Sequence, residues 1–187
     1  MLLSAFLVGK VVVSATLYPP SGEIPADESE NIFLGTQSKD TKKYPAVLYI
    51  PSLGINADVQ QVGITKKGNM GTPKNFSDVG WFKYGTLPGR VGAALIAGHV
   101  DNGLALPGVF KDLKDIKKGD DIYIDTIGGE TIRFVVTSLD TYDFNSSTEK
   151  VFTSSGKAEL KLITCTGSWL KEFRTHDQRL VVTAVEV

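Results

Sequence analysis

Short apolar stretches, each ended by a turn, dominate the chain after residue 46 and limit the folds open to it. No long amphipathic helix interrupts them, and Gly128-Gly129 forms a typical hairpin turn. The pattern predicts an all-β domain, a barrel or a sandwich, with only short helical turns, one of them near residues 149–152 in a polar loop over residues 140–157. The predicted strands are Val47–Ile50, Ile55–Val62, Val79–Phe82 (as an edge segment), Val91–Gly98, Ile122–Asp125, Ile132–Val136, Leu160–Thr164 and Leu180–Val187.

The amino-terminal 18 residues form a separate apolar segment. Residues 2–18 are apolar apart from small polar residues and Lys10, and they fall slightly short of the roughly 20 residues that a membrane span needs. We interpret residues 1–18 as a membrane anchor. A cleaved signal peptide, with Val13-Ser14-Ala15 as its cleavage site, and a buried helix are the alternatives. Residues 19–38 contain no Lys or Arg, which favours export of the chain beyond the apolar segment.

The rest of the chain divides into a linker and a folded domain. Residues 19–45 are rich in Pro and Gly and predict a linker, so we expect the domain over residues 46–187. The net charge is −1 and no basic run is dense enough for a nucleic-acid surface. We therefore expect a protein at the extracellular face of a cell membrane, or a secreted one if the apolar segment is cleaved.

Three reactive side chains each lie at the end of a predicted strand. Cys165, the only cysteine, ends one strand before a Thr-Gly pair at 166 and 167, where we predict a turn; His99 follows a second strand and Arg179 precedes a third. A thiolate is a strong nucleophile, an imidazole carries its proton, and a guanidinium stabilises an oxyanion. Together they suit acyl transfer through a thioester, provided that the three strand ends meet.

Each of these residues also has a purely structural interpretation. A lone cysteine often packs as a small apolar side chain, and a lone histidine or arginine at a strand end is often a packing or solvated residue. Arg174 competes with Arg179 for the third place in the set. His176, the only other histidine, lies in a polar stretch, and we predict it to be an exposed loop residue.

Three motifs, in their usual order, resemble those of the sortase family. Leu162-Ile163-Thr164-Cys165 resembles the cysteine-bearing strand, Ala97-Gly98-His99-Val100-Asp101 resembles the histidine segment, and Arg179 stands where the family has its arginine. The resemblance covers about residues 46–187. The His-Val-Asp form and the lack of a visible lid helix look most like the class F sortases.

The resemblance implies a closed eight-stranded β-barrel and cysteine transpeptidation on the outer face of a Gram-positive (monoderm) bacterial membrane. Cys165 is then expected to attack the Thr–Gly bond of an LPxTG-like sorting signal of a surface protein. His99 would act as general acid and later as base, and Arg179 would steady the oxyanion or hold the peptide. Thr164 would line the same pocket through its hydroxyl. A peptidoglycan-precursor amine or water would release the thioester, without cofactor or metal.

Other classes of protein fit less well. L,D-transpeptidases and papain-like peptidases also use Cys and His, but the order and spacing of His99 and Cys165 match neither. A non-enzymatic cell-surface β-barrel binding module, or a sortase relative that has lost activity, is the main alternative. It would be favoured by a Cys165 that is buried and distant from His99.

Overall fold

Eight β-strands close into a barrel in the computed structural model, which describes residues 41–66, 68–102 and 106–187. The expected all-β, eight-stranded barrel is therefore confirmed. The predicted anchor over residues 1–18, and the part of the predicted linker before residue 41, lie outside the described residues. The strands are β1 Pro45–Ile50, β2 Ile55–Val62, β3 Val79–Phe82, β4 Gly92–Gly98, β5 Asp121–Thr126, β6 Thr131–Asp143, β7 Ala158–Leu170 and β8 Thr175–Glu186.

The strand order around the barrel is β1-β2-β3-β4-β7-β8-β6-β5, and β5 pairs back to β1. Most neighbouring strands are antiparallel, whereas β2–β3 and β4–β7 are parallel. The segment Val79–Phe82 was expected at an edge, and that expectation is wrong. It is β3, paired on both sides and buried along its whole length, because closure of the barrel leaves no edge there.

The core lies inside the barrel, which explains why apolar residues alternate along the strands. Alternate residues of β4, β7 and β8 point inward, so that every second side chain of these strands joins one buried apolar cluster. The segment after β4 adds Phe110, Leu113 and Ile116 to that cluster. The apolar residues that these three strands contribute to the cluster are Ala94, Ile96, Leu160, Leu162, Leu180, Val182 and Ala184.

The predicted hairpin around Gly128-Gly129 is confirmed. It joins β5 to β6, and Gly129 has a φ of 83°, a left-handed conformation that favours glycine. Strand β6 continues past the predicted Val136 to Asp143, so the first residues of the polar stretch after residue 139 belong to a strand and not to a loop.

The strand that carries Cys165 does not end at the predicted Thr-Gly turn. Strand β7 continues to Leu170, and Gly167, with a φ of 81°, lies where the β7–β8 register shifts between Thr166 and Trp169. The glycine thus marks a β-bulge inside a long hairpin. For the same reason Arg179, expected to lead the last strand, lies inside β8 with its backbone paired to β7.

Helices are few and short among the described residues. The predicted helical turn near residues 149–152 is confirmed as α1, Glu149–Phe152. Short 3-10 turns occur at Thr41–Lys43, Pro51–Leu53 and Leu113–Asp115. Within the part of the chain that the structure describes, no helix has the length and apolar character to cross a bilayer.

Replacing Gly98 by alanine should destabilise the barrel where β4 ends. A Cβ at Gly98 would overlap the ring of Phe110, which is fully buried, so we expect Gly98→Ala to lower the free energy of unfolding by about 1–3 kcal/mol. Urea unfolding checks this. Gly63→Ala is the matched control, because its Cβ would make only ordinary contacts with Lys83 and Tyr84. Equal stability of the two variants would contradict the expectation.

Candidate active site

Neighbouring strands bring the three candidate catalytic residues to one row on the barrel. Cys165 on β7 is paired directly with Arg179 on β8. The parallel β4–β7 register pairs Ala97 with Ile163, and the same register continued by two residues sets His99 level with Cys165. Because side chains alternate between the two faces of a strand, all three candidates point toward the outer face of the barrel. Their neighbours in sequence on the inner face are buried: Gly98, Thr164 and Leu180.

A buried hydrogen bond ties β4 to β7 immediately before the row. The Thr164 hydroxyl donates to the carbonyl of Gly98 at 2.9 Å, and Thr164 is only 3% exposed. Its side chain therefore lies on the inner side of the barrel wall, whereas the predicted pocket would be on the outer side. In this position Thr164 fixes the backbone on which His99 and Cys165 stand.

His99 is held by the segments on either side of it. Its Nε2 lies 3.2 Å from the carbonyl oxygen of Pro73, and since a carbonyl only accepts, Nε2 carries the proton. The ring packs against Phe76 with centroids 4.9 Å apart, and the His99 carbonyl accepts a hydrogen bond from the Phe110 amide. In the neutral ring Nδ1 is left as the basic nitrogen. Among the described residues, no hydrogen bond joins this ring to the Cys165 thiol.

The guanidinium of Arg179 is fixed against its own strand. Nη1 donates to the carbonyls of His176 at 3.0 Å and Gln178 at 2.8 Å, and Nη2 donates to the Thr175 hydroxyl at 2.8 Å. Arg174, its competitor in the sequence, is exposed in the turn between β7 and β8, where it has a φ of 50°. The structure therefore pairs the thiol with Arg179 and leaves Arg174 at the tip of the hairpin.

The electrostatic surroundings of Cys165 act in opposite directions. Burial of the half-buried thiol raises its pKa, the charge of Arg179 lowers it, and the charge of Asp101 raises it. Burial is the largest of these effects. The thiol form therefore predominates near neutral pH, and nucleophilic attack requires either proton removal by a base or a minor thiolate population.

His176 takes a position that its sequence surroundings do not indicate. We predicted an exposed loop residue, and this is wrong: His176 lies on β8 with its side chain 12% exposed. Its Nε2 is 3.5 Å from Oδ2 of Asp101, and its ring meets Trp169 edge to face at 5.3 Å between centroids. Asp101 stands in the segment of His99, but nothing in the sequence indicates that the β7–β8 hairpin extends far enough to bring His176 to it.

An apolar patch lies beside the thiol on the same face of the barrel. Phe82, Ala93 and Leu95 form a small outer cluster, and Ile163, two residues before Cys165, packs against it. Val151 of α1 covers the cluster, and Phe152 of α1 packs edge to face on Phe82 while 45% of it stays exposed. We call this set the outer apolar patch.

Two charged side chains of β7 hold α1 over the outer apolar patch. The Lys161 ammonium donates to the carbonyls of Lys150 at 3.1 Å and Thr153 at 2.5 Å, both in or next to α1. Glu159 accepts from the backbone and hydroxyl of Ser155. Lys161 and Glu159 are both buried. Each finds hydrogen-bond partners, so their burial keeps the segment in one place.

A sortase-domain family model matches residues 48–187. Solved sortase structures share the fold. Sortase A of Corynebacterium diphtheriae (a lid mutant) is 26% identical, over 76% of this chain and 69% of that one, with a TM-score of 0.59. Sortase C-1 of Actinomyces oris is 24% identical, over 75% and 72%, and a pilus-related sortase C of Group B Streptococcus is 22% identical, over 78% and 68%; both have TM-scores of 0.59. No curated protein matches the chain in sequence.

The reactivity of Cys165 should increase with pH to beyond neutrality. Because burial raises the pKa of the thiol, we expect the rate of alkylation by iodoacetamide to rise roughly tenfold per pH unit and to be still rising at about pH 9. Intact-mass measurement follows the modification of the only cysteine. The urea-unfolded chain is the control and should level off at lower pH. A folded chain that levels off at or below neutral pH would contradict the expectation.

Proposed function

This chain belongs to the sortase family of cysteine transpeptidases, and on that premise we propose that it cleaves an LPxTG-like sorting signal and transfers the cleaved protein to a cell-wall amine. The observation that carries the proposal is a row of three side chains: Cys165 and Arg179, paired on β7 and β8, and His99 directly after β4. These are the side chains that acyl transfer through a thioester requires.

In the proposed first step, Cys165 gives its thiol proton to His99, and the resulting thiolate attacks the carbonyl carbon of the Thr–Gly bond. The carbonyl oxygen takes the negative charge, and the Arg179 guanidinium stabilises it. When the carbon–nitrogen bond breaks, the imidazolium of His99 donates a proton to the leaving amine. The product is a thioester between Cys165 and the threonine carbonyl, with the imidazole now neutral.

The second step reverses these roles. An amine of a peptidoglycan precursor, or water, attacks the thioester carbonyl, and neutral His99 accepts the proton that the nucleophile loses. The sulfur then leaves as a thiolate, which Arg179 favours electrostatically. Thr164 takes part through its hydrogen bond to Gly98, because that bond sets His99 and Cys165 at the same height on their strands.

We also propose a contact for the signal peptide, a sortase class and a role for residues 1–18. The exposed ring of Phe152, at the edge of the outer apolar patch, suits an apolar side chain of the signal peptide, since Ile163 of the same patch lies two residues before Cys165. The His-Val-Asp segment supports assignment to the class F sortases. Residues 1–18 would anchor the enzyme at the extracellular face of the membrane, or would be cleaved to release it.

Incubation with a panel of sorting-signal peptides and amine acceptors tests the function. We expect a Cys165-linked acyl adduct and a peptide–amine product, both read by mass, because Cys165 is the chain's only thiol. Cys165→Ala is the control and should give neither. If no peptide of the panel forms an adduct, the proposal fails and a binding module or an inactive relative is favoured.

Arginine substitutions decide the third residue of the site. We expect Arg179→Ala to lower kcat/KM for a cleaved peptide by about 10²–10³, the usual loss on removing an oxyanion donor. Arg174→Ala is the matched control and should change it little, because Arg174 is exposed at the hairpin tip. A larger loss for Arg174→Ala than for Arg179→Ala would overturn this assignment. His99→Ala is expected to remove nearly all activity.

A further inference from the structure

A carboxylate and an imidazole are paired beside the thiol and are not used in the proposed steps. Asp101 lies two residues after His99, and His176 lies three residues before Arg179 on β8. Oδ2 of Asp101 and Nε2 of His176 are 3.5 Å apart, and the two side chains are 32% and 12% exposed. The pair therefore joins the segment that carries His99 to the strand that carries Arg179.

The surroundings of His176 fix its ring in this place. Trp169 on β7 meets it edge to face, and the His176 carbonyl accepts a hydrogen bond from Nη1 of Arg179. A separation of 3.5 Å is longer than an ordinary hydrogen bond. The attraction to Asp101 therefore depends mainly on charge, and it is strongest when the imidazole is protonated.

The carboxylate of Asp101 opposes the chemistry of its neighbour. Its negative charge raises the pKa of Cys165 and so disfavours the thiolate, whereas the charge of Arg179 lowers that pKa. The β7–β8 register also places Cys165 and Arg179 within a few residues of the pair, and His99 lies two residues before Asp101. The carboxylate of Asp177 is turned to the backbone amide of Ser168, at 2.7 Å. Among the described residues, His176 is the basic side chain within 4 Å of the Asp101 carboxylate.

We propose, on the basis of the function proposed above, that His176 is a positioning residue: its imidazolium compensates the Asp101 carboxylate beside Cys165 and holds the His99 segment against β8. The compensation operates only while the imidazole is protonated, a form that lower pH favours for any imidazole. His176 does not touch the substrate in this scheme. It acts through Asp101 on the fraction of Cys165 that is ionised.

Iodoacetamide alkylation of Cys165 in the full chain tests the proposal, at about pH 6 and about pH 8.5. We expect His176→Gln to lower the alkylation rate roughly threefold or more at the lower pH and to leave it unchanged at the higher pH. Adding Asp101→Asn to His176→Gln should restore the rate, because the uncompensated carboxylate is gone. A merely structural pair would not be rescued in this way. An equal loss at both pH values, or no rescue, would overturn the proposal.

Two further variants keep the test decisive. Asp125→Asn on β5 removes a carboxylate three strands away from β7 and should change neither rate. If His176→Gln does not fold, His176→Lys provides a cation that stays charged, and it should speed alkylation at about pH 8.5 relative to the unsubstituted chain. Absence of that gain would overturn the proposal.

Alkylation needs no peptide substrate, so the two proposals fail separately. If the variants follow the expected pattern while no sorting peptide is cleaved, charge compensation is supported and transpeptidation fails. If peptides are cleaved but His176→Gln leaves alkylation unchanged at both pH values, only the role of His176 fails. For an active enzyme, the loss in kcat/KM of His176→Gln should likewise be larger at the lower pH.

Discussion

The parallel pairing of β4 with β7 is the constraint on which the rest of the site depends. These strands are far apart in the chain, and only their register brings His99 level with Cys165. The hydrogen bond from Thr164 to Gly98 fixes that register from inside the barrel. Because Gly98 has no side chain, the Phe110 ring can pack directly against its backbone. Packing on the inner side of the barrel wall thus positions the candidate catalytic side chains on its outer side.

Placement and reactivity make opposite demands on the thiol. A rigid, half-buried position gives Cys165 a defined neighbour in Arg179, but the same burial raises its pKa. Because Arg179 lowers the pKa of the thiol and Asp101 raises it, small changes of charge nearby change the fraction of Cys165 that is ionised. An enzyme of this design keeps a small reactive population and gains, in exchange, a nucleophile with a fixed direction.

Much of the fold could be predicted from the sequence, because alternation of apolar residues identifies strands that have one face in a core. The hairpin at Gly128-Gly129 and the helical turn at 149–152 were found for such local reasons. The extension of β7 beyond Cys165 was not, since a glycine that bulges and a glycine that ends a strand look alike in a sequence. His176 was misplaced for the same reason: its contact with Asp101 exists only once the hairpin has formed. Cys165 and Arg179 were proposed from predicted strand ends; both lie inside longer strands, where the register pairs them directly.

The β7–β8 hairpin that extends past Cys165 has an exposed turn over residues 171–174, beyond the last pairs of its ladder. Because the backbone of Cys165 is paired with Arg179 before the register shift between Thr166 and Trp169, a change in the loop need not move Cys165. Sequence drift or an inserted peptide at the tip would change what the enzyme meets above its nucleophile while leaving the nucleophile itself in place. The loop is thus a natural point for diversification, and a practical one for attaching a fluorescent reporter.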